Sequence, residues 1–189
     1  MSEYLSVTET AKLIRKDLKK HFPKIKFSVR SDSYSMGASI NVSWKNGPTP
    51  DQVENITCVY EGAGFDGMID LKYNKSAFIL PSGEICHGNS QGSEQSAGMD
   101  PVIERELPEG AREVHFGADY IHLRREIDPN IELEAALHLA HQHNLQELPE
   151  MAYTEYGPYV KYPNIMIWND WFNTLVYRWF RKVDLTEAV

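Results

Sequence analysis

Two carboxylates four residues apart, Asp66 and Asp70 in the run Phe65-Asp66-Gly67-Met68-Ile69-Asp70, pose the first chemical question of this sequence. General acid–base and metal-assisted reactions need clustered carboxylates, because a cation or a migrating proton must be met locally. Two are too few for a metal, and no HxxxD or DxD pattern lies beside them. On an extended strand they would share one face at a separation of ~13 Å, given ~3.3 Å per residue, which is too wide for one ion. The simpler reading makes Asp66-Gly67 an Asx-type turn at a strand entry. His138, His141 and His143 are the other metal-type cluster, with Glu134 one turn before His138. Zinc needs three or four ligands in fixed geometry, and this spacing reads better as surface histidines. There is no GxSxG, no P-loop and no GxGxxG. No catalytic residue, metal or cofactor is therefore assigned. A metal-dependent hydrolase using Asp66, Asp70 and a histidine stands as a minor alternative.

The stronger signal is charge. The chain of 189 residues carries a net charge of −8. Residues 10–30 nevertheless hold eight basic side chains and one acid: Lys12, Arg15, Lys16, Lys19, Lys20, Lys24, Lys26 and Arg30 against Asp17. The first five cover one side of a helix, and the rest continue onto a strand. Several cations on one surface suit phosphates, each contact releasing counterions. Tyr34 could add base stacking. The plain reading of the same residues is a solvated lysine face, or one that pairs with the acidic C-terminal half. That half offers a second surface. Tyr153, Tyr156, Tyr159 and Tyr162 recur every third residue, and aromatic residues dominate protein hot spots. Glu104, Glu106, Glu109 and Glu113 could mimic a phosphate backbone.

The elements that must position these residues are legible in outline. Ser6-Val-Thr-Glu9 is a capping box, and Val7, Ala11, Ile14, Leu18 and Phe22 follow at helical spacing until Pro23. Lys26–Arg30 and Ala38–Lys45 alternate with period two and predict a hairpin around Ser31–Gly37. Thr49-Pro50-Asp51-Gln52 opens a second helix, with Val53, Ile56, Val59 and Tyr60 inward and Gly62 and Gly64 ending it. Ala77–Leu80 and Glu84–Cys86 flank Pro81–Gly83 as a second hairpin. Glu113–Phe116 and Tyr120–Leu123 read as strands, and Asn130 as the cap of a helix to about His143. Trp168, Trp171, Phe172, Leu175, Val176, Trp179 and Val183 predict an amphipathic helix over 167–182.

This order predicts an α+β fold: a mainly antiparallel sheet built from hairpins with helices packed on it. Residues 1–126 are expected to form the core domain, with 76–111 an insertion carrying a flexible glycine-rich loop at 88–98. Residues 127–189 are expected to be a helical, aromatic-rich extension packed on that core. Cys58 and Cys86 have no CxxC partner, which fits a reducing compartment. No apolar run nears the roughly 20 residues of a membrane span, and the polar N-terminus has no signal-peptide core. A cytoplasmic protein without membrane contact is expected.

Two stretches then take on more meaning together. Lys26-Phe-Ser-Val-Arg-Ser31, Ser39-Ile-Asn-Val-Ser-Trp44, Asn46-Gly-Pro48, Tyr60-Glu-Gly62, Phe65-Asp-Gly-Met68 with Asp70, and Phe116-Gly-Ala-Asp-Tyr-Ile121 form a specific string. It resembles the large polyvalent protein-associated domain family, number twenty-nine, over residues 8–73 and 112–126. The resemblance implies a protein of a phage, plasmid or integrative element, often found beside anti-restriction and DNA-processing modules. It supplies no catalytic residues, and it implies that Phe65, Asp66, Gly67, Met68 and Asp70 are a structural signature. The expectation is a non-catalytic module that contacts nucleic acid or a nucleoprotein through the basic first helix and adjacent hairpin. The alternative is a protein-binding inhibitor of a host defence complex, acting through the acidic or aromatic half.

Overall fold

The computed structural model describes residues 3–68, 70–87 and 107–188. The chain opens with strand β1 (Glu3–Leu5) and helix α1 (Val7–His21). Both halves of the capping box form: the Ser6 hydroxyl accepts the Glu9 N–H, and the Glu9 carboxylate accepts the Ser6 N–H at 2.9 Å. Val7, Thr10, Ala11, Ile14 and Leu18 are the buried stripe. Ile14 and Leu18, fully enclosed, contribute roughly 2–3 kcal/mol each by leaving water. β2 (Ser28–Tyr34) and β3 (Gly37–Lys45) pair antiparallel from Ser28↔Ser43 to Tyr34↔Gly37. The hairpin therefore turns tightly at Ser35–Met36, and the serine-rich stretch expected as a loop is mostly strand.

Helix α2 (Pro50–Thr57) has its own capping box, Thr49 with Gln52, and passes into a single 3-10 turn at Cys58–Tyr60. Five short strands follow: β4 (Ala63–Asp66), β5 (Leu71–Asn74), β6 (Ala77–Ile79), β7 (Ile85–His87) and β8 (Arg112–Phe116). β9 (Tyr120–Glu126) and helix α3 (Pro129–Gln142) come next. The cap of α3 is Asp128, whose side chain accepts the Asn130 N–H, with Pro129 in the first turn. Asn130 is thus inside the helix it was expected to cap. The helix starts earlier because Pro129 brings its fixed φ to the first position, where a missing N–H costs nothing.

The strands form small, antiparallel-dominated sheets with helices against them, a mixed α+β fold. One sheet has the order β1-β8-β6-β7, a second β2-β3-β9, and β4-β5 is a separate hairpin. Two pairings are parallel, β1 with β8 and β3 with β9. β8 and β9 do not form a hairpin with each other. The turn Gly117–Asp119 instead carries the chain from one sheet to the next. The glycine-rich stretch 88–98 lies outside the described residues.

The last third contains more strand than its tyrosine and proline content suggested. β10 (Glu150–Thr154) and β11 (Gly157–Lys161) form a hairpin with the two-residue loop Glu155-Tyr156. β12 (Met166–Ile167) and β13 (Asp170–Trp171) make a second, minimal hairpin before helix α4 (Phe172–Lys182). The tryptophan stripe is therefore not one helical face. Trp168 takes a left-handed backbone, φ 55°, which turns the chain and delays the helix to Phe172. Only Trp179 of the three tryptophans lies in α4, and its buried stripe is Phe172, Val176 and Phe180.

Two hydrophobic clusters result. The first joins α1, β2, β3 and α2 to Val114, Phe116 and Ala118. The second joins Ala135, Ala136 and Ala140 of α3 to Val160, Ile167 and the buried stripe of α4. Polar contacts link them. The Arg125 guanidinium donates to four carbonyls: Asn46 at 2.8 Å, Gly47 at 2.7 Å, Phe180 at 2.6 Å and Val183 at 2.9 Å. Lys45 pairs with Asp128 at 2.6 Å, and Gln52 reaches Asp184 at 2.8 Å.

Candidate functional site

Lys12, Arg15, Lys16, Lys19 and Lys20 sit at i, i+3, i+4, i+7 and i+8 of α1, opposite the buried stripe. All five are exposed, as are Lys24 and Lys26 in the loop before β2. None of these seven takes part in an ion pair among the described residues. Among the described residues only Arg15 of the seven is tethered by its side chain, donating to the Val29 carbonyl of β2 at 2.5 Å. Asp17, the one acid of the segment, is turned to the flank, where its carboxylate accepts the Tyr60 hydroxyl. The acids of the second half find other partners: Asp128 on Lys45, Glu150 on Lys161, Asp170 on Arg178. Lys19 and Lys20 also lie in the last turn, where cations favour the negative end of the helix dipole. Some of this charge therefore serves the helix itself.

Arg30 does not extend this surface. Val29 is buried against α1, and alternation turns Arg30 to the other face of the β2-β3-β9 sheet. There it aligns in register with Asn41 and His122, beside Ser43 and Arg124. The polar alternation Asn41, Ser43, Lys45 is the sequence signal for this second, more solvated face. Tyr34 is exposed near the hairpin tip.

The signature segment is a clamp. Asp66 ends β4 and is buried, its Oδ1 accepting the Met68 N–H at 3.0 Å in an Asx turn. Its Oδ2 is buried with no hydrogen-bond partner among the described residues. Asp70 has φ 52° and is exposed in the turn leading to β5, so it does not share with Asp66 the single extended strand that set their expected spacing. Gly62 packs so closely on the sheet-to-sheet turn that a Cβ there would lie 1.8 Å from the Phe116 carbonyl oxygen. Its N–H donates to Ala118 at 2.7 Å. Glu61 accepts the Ile121 N–H at 3.0 Å, and Lys72 pairs with Asp119 at 2.7 Å. Gly62 and Gly64 thus permit close packing, Gly64 under the Tyr73 ring; they do not cap α2. Among the described residues no group of three or more His, Cys, Asp or Glu could hold a metal.

The four tyrosines separate. Tyr153, Tyr156 and Tyr159 are exposed on the β10–β11 hairpin, Tyr156 at 92%. Tyr162 turns inward, its hydroxyl donating to Glu132 of α3. Burial first, then that hydrogen bond and charge, push its phenol well above the usual value. His138 and His141 are exposed, while His143 meets the Trp168 ring edge-on at 5.6 Å. Glu109 and Glu113 are exposed, and Glu104 and Glu106 lie outside the described residues. Among the described residues no helix is long and apolar enough to cross a membrane.

These features define a mixed α+β protein whose first two thirds are locked by the contacts between Tyr60–Lys75 and Phe116–Ile121. The model of the family described as Large polyvalent protein associated domain 29 matches residues 5–128, and the chain belongs to that family. The match runs through residues 76–111, which the sequence pattern set apart as an insertion, and it ends at the cap of α3. No curated protein and no solved structure matches the chain.

Proposed function

We propose that this protein is a non-catalytic module of a mobile genetic element that contacts nucleic acid, alone or in a nucleoprotein, through α1 and the loop that follows it. The observation that supports this reading is the row of seven exposed cations from Lys12 to Lys26, none in an ion pair among the described residues, in a chain of net charge −8. A solvated face whose charge served only solubility would not need one sign concentrated on one helix. Arg15, held by the β2 edge, fixes part of the row in place. Five or so phosphate contacts would give a slope of log K against log salt of about −4 to −5 on duplex DNA. The test is a titration of duplex DNA and single-stranded RNA at several salt concentrations, with wild type and a Lys16→Glu/Lys19→Glu variant. Weaker binding and a slope reduced by about 2 are expected in the variant. Binding to neither nucleic acid at low salt, or an unchanged variant, overturns the proposal.

A second reading rests on the β10–β11 hairpin, where Tyr153 and Tyr156 stand in solvent. Exposed tyrosines on a rigid hairpin suit a protein partner, such as a host defence complex. Tyr153→Ala/Tyr156→Ala would abolish capture of such a partner and leave nucleic-acid binding unchanged.

A further inference from the structure

β9 is the edge strand of its sheet, and part of its outer edge is open. The Glu126 carbonyl accepts the Asn46 N–H on the β3 side. Alternation then turns the backbone groups of Ile121, Leu123 and Arg125 away from β3. Glu61 takes the Ile121 N–H and closes one end. The N–H and C=O groups of Leu123 and Arg125 make no hydrogen bond among the described residues. A groove of about 800 Å³ lies against this edge, with α4 as its far wall. Leu123, Ile127 and the exposed Tyr177 supply apolar surface, and the Arg125 guanidinium spans from β9 to the last turn of α4. That brace fixes the width of the groove.

We propose that the groove receives an extended, acidic segment of a partner protein, which adds a strand to β9. Two consecutive outward residues offer donors and acceptors at strand spacing, which is the template for strand addition. Free edges invite uncontrolled pairing unless they are covered; recessed behind α4, this one admits a single chain and not another sheet. Charge selects the occupant. Arg124 and Arg181 stand on the rim in long, exposed ion pairs, with Glu126 at 3.4 Å and Asp51 at 3.5 Å, and neither donates a hydrogen bond among the described residues, so both can turn to a ligand's carboxylates. Among the described residues Glu132 is the only acid lining the groove, and it is engaged by Tyr162. An added strand would alternate, apolar residues toward Leu123 and Tyr177 and acidic ones beside Arg124. The proposal is independent of α1, which lies elsewhere on the molecule.

The test uses the full chain and a blocked heptapeptide of alternating valine and glutamate, read by backbone amide hydrogen exchange and fluorescence anisotropy. Saturating peptide is expected to slow exchange at Leu123 and Arg125 by about tenfold or more. The lysine counterpart, and a version N-methylated on alternate amides, should bind about tenfold more weakly. Arg124→Glu/Arg181→Glu should reverse the charge preference, and Asn173→Trp, at an exposed groove position, should block binding without unfolding. Lys16→Glu/Lys19→Glu should change nothing. Unprotected Leu123 and Arg125 amides at millimolar peptide, equal binding of the N-methylated peptide, or protection of the same amides by an oligonucleotide instead, overturns it.

Discussion

Each hydrophobic cluster of this molecule secures one tyrosine to a carboxylate on a neighbouring element: Tyr60 to Asp17 in the first, Tyr162 to Glu132 in the second. Outside these matched interiors the two regions differ. Around α1 the apolar residues face in and the outer face is cationic. Around α4 and its hairpins large aromatics face out, with Trp168 at 84% and Tyr153 at 78% exposure. The first region closes its own core, and α1 turns a cationic face to solvent. The second, beyond the family match, exposes the rings of Tyr153, Tyr156, Trp168 and Tyr177. The proposed nucleic-acid contact draws on the charge of the first region, and the proposed tyrosine-mediated partner contact on the rings of the second.

The largest effects should come from the interiors. Phe172→Ala, in the second cluster, is expected to cost about 4 kcal/mol, and Ile14→Ala, in the first, about 3 kcal/mol. Urea unfolding measures both; equal loss of one cooperative transition would show that the regions fold as a unit. Arg125→Ala removes the brace between them and leaves four carbonyls to find other donors, a loss of about 3 kcal/mol. If the regions are separable, this variant should split the transition in two.

A sharper contrast lies within the signature. Gly62→Ala would drive a Cβ into the Phe116 carbonyl and should cost more than about 2 kcal/mol. Gly67→Ala, with nothing within 4 Å of the new carbon, should stay within about 0.5 kcal/mol. Thermal melts of the pair distinguish a packing glycine from a replaceable one.

The matched tyrosines give a pH test. Burial first, and then the hydrogen bond to and charge of the carboxylate, raise both phenols above their ordinary value. A folded value above the unfolded one means that the neutral form is favoured by folding. This stabilisation is complete below about pH 10, the unfolded phenol value, and declines as the pH rises past it. Tyr60→Phe and Tyr162→Phe should each cost about 1–2 kcal/mol near neutrality and flatten the alkaline loss of stability. The smallest effect belongs to Lys16→Glu/Lys19→Glu, expected to move stability by no more than about 0.5 kcal/mol.

Local chemistry was legible in the sequence, and non-local pairing was not. Both capping boxes, the buried stripe of α1 and the Asp66 turn follow from side chains within a few residues of their partners. The start of α4 was misplaced because Trp168 fits a helical period as well as a turn, and only its left-handed backbone separates the two. The Tyr-Pro stretch hid a hairpin because its strands are edges, where proline is tolerated. Arg30 was assigned to the α1 surface because charge counts along the chain ignore which sheet face a residue takes. The open edge of β9 depends on a parallel pairing with β3 across some eighty residues of chain, and no local pattern encodes it.

The most direct test of the charged face of α1 is a residue-resolved map of amide chemical shifts during addition of a short duplex at low salt. The account expects the perturbed amides to cluster between Lys12 and Lys26 and to return as salt is raised. Perturbations confined to the β10–β11 hairpin, or none anywhere, would contradict it.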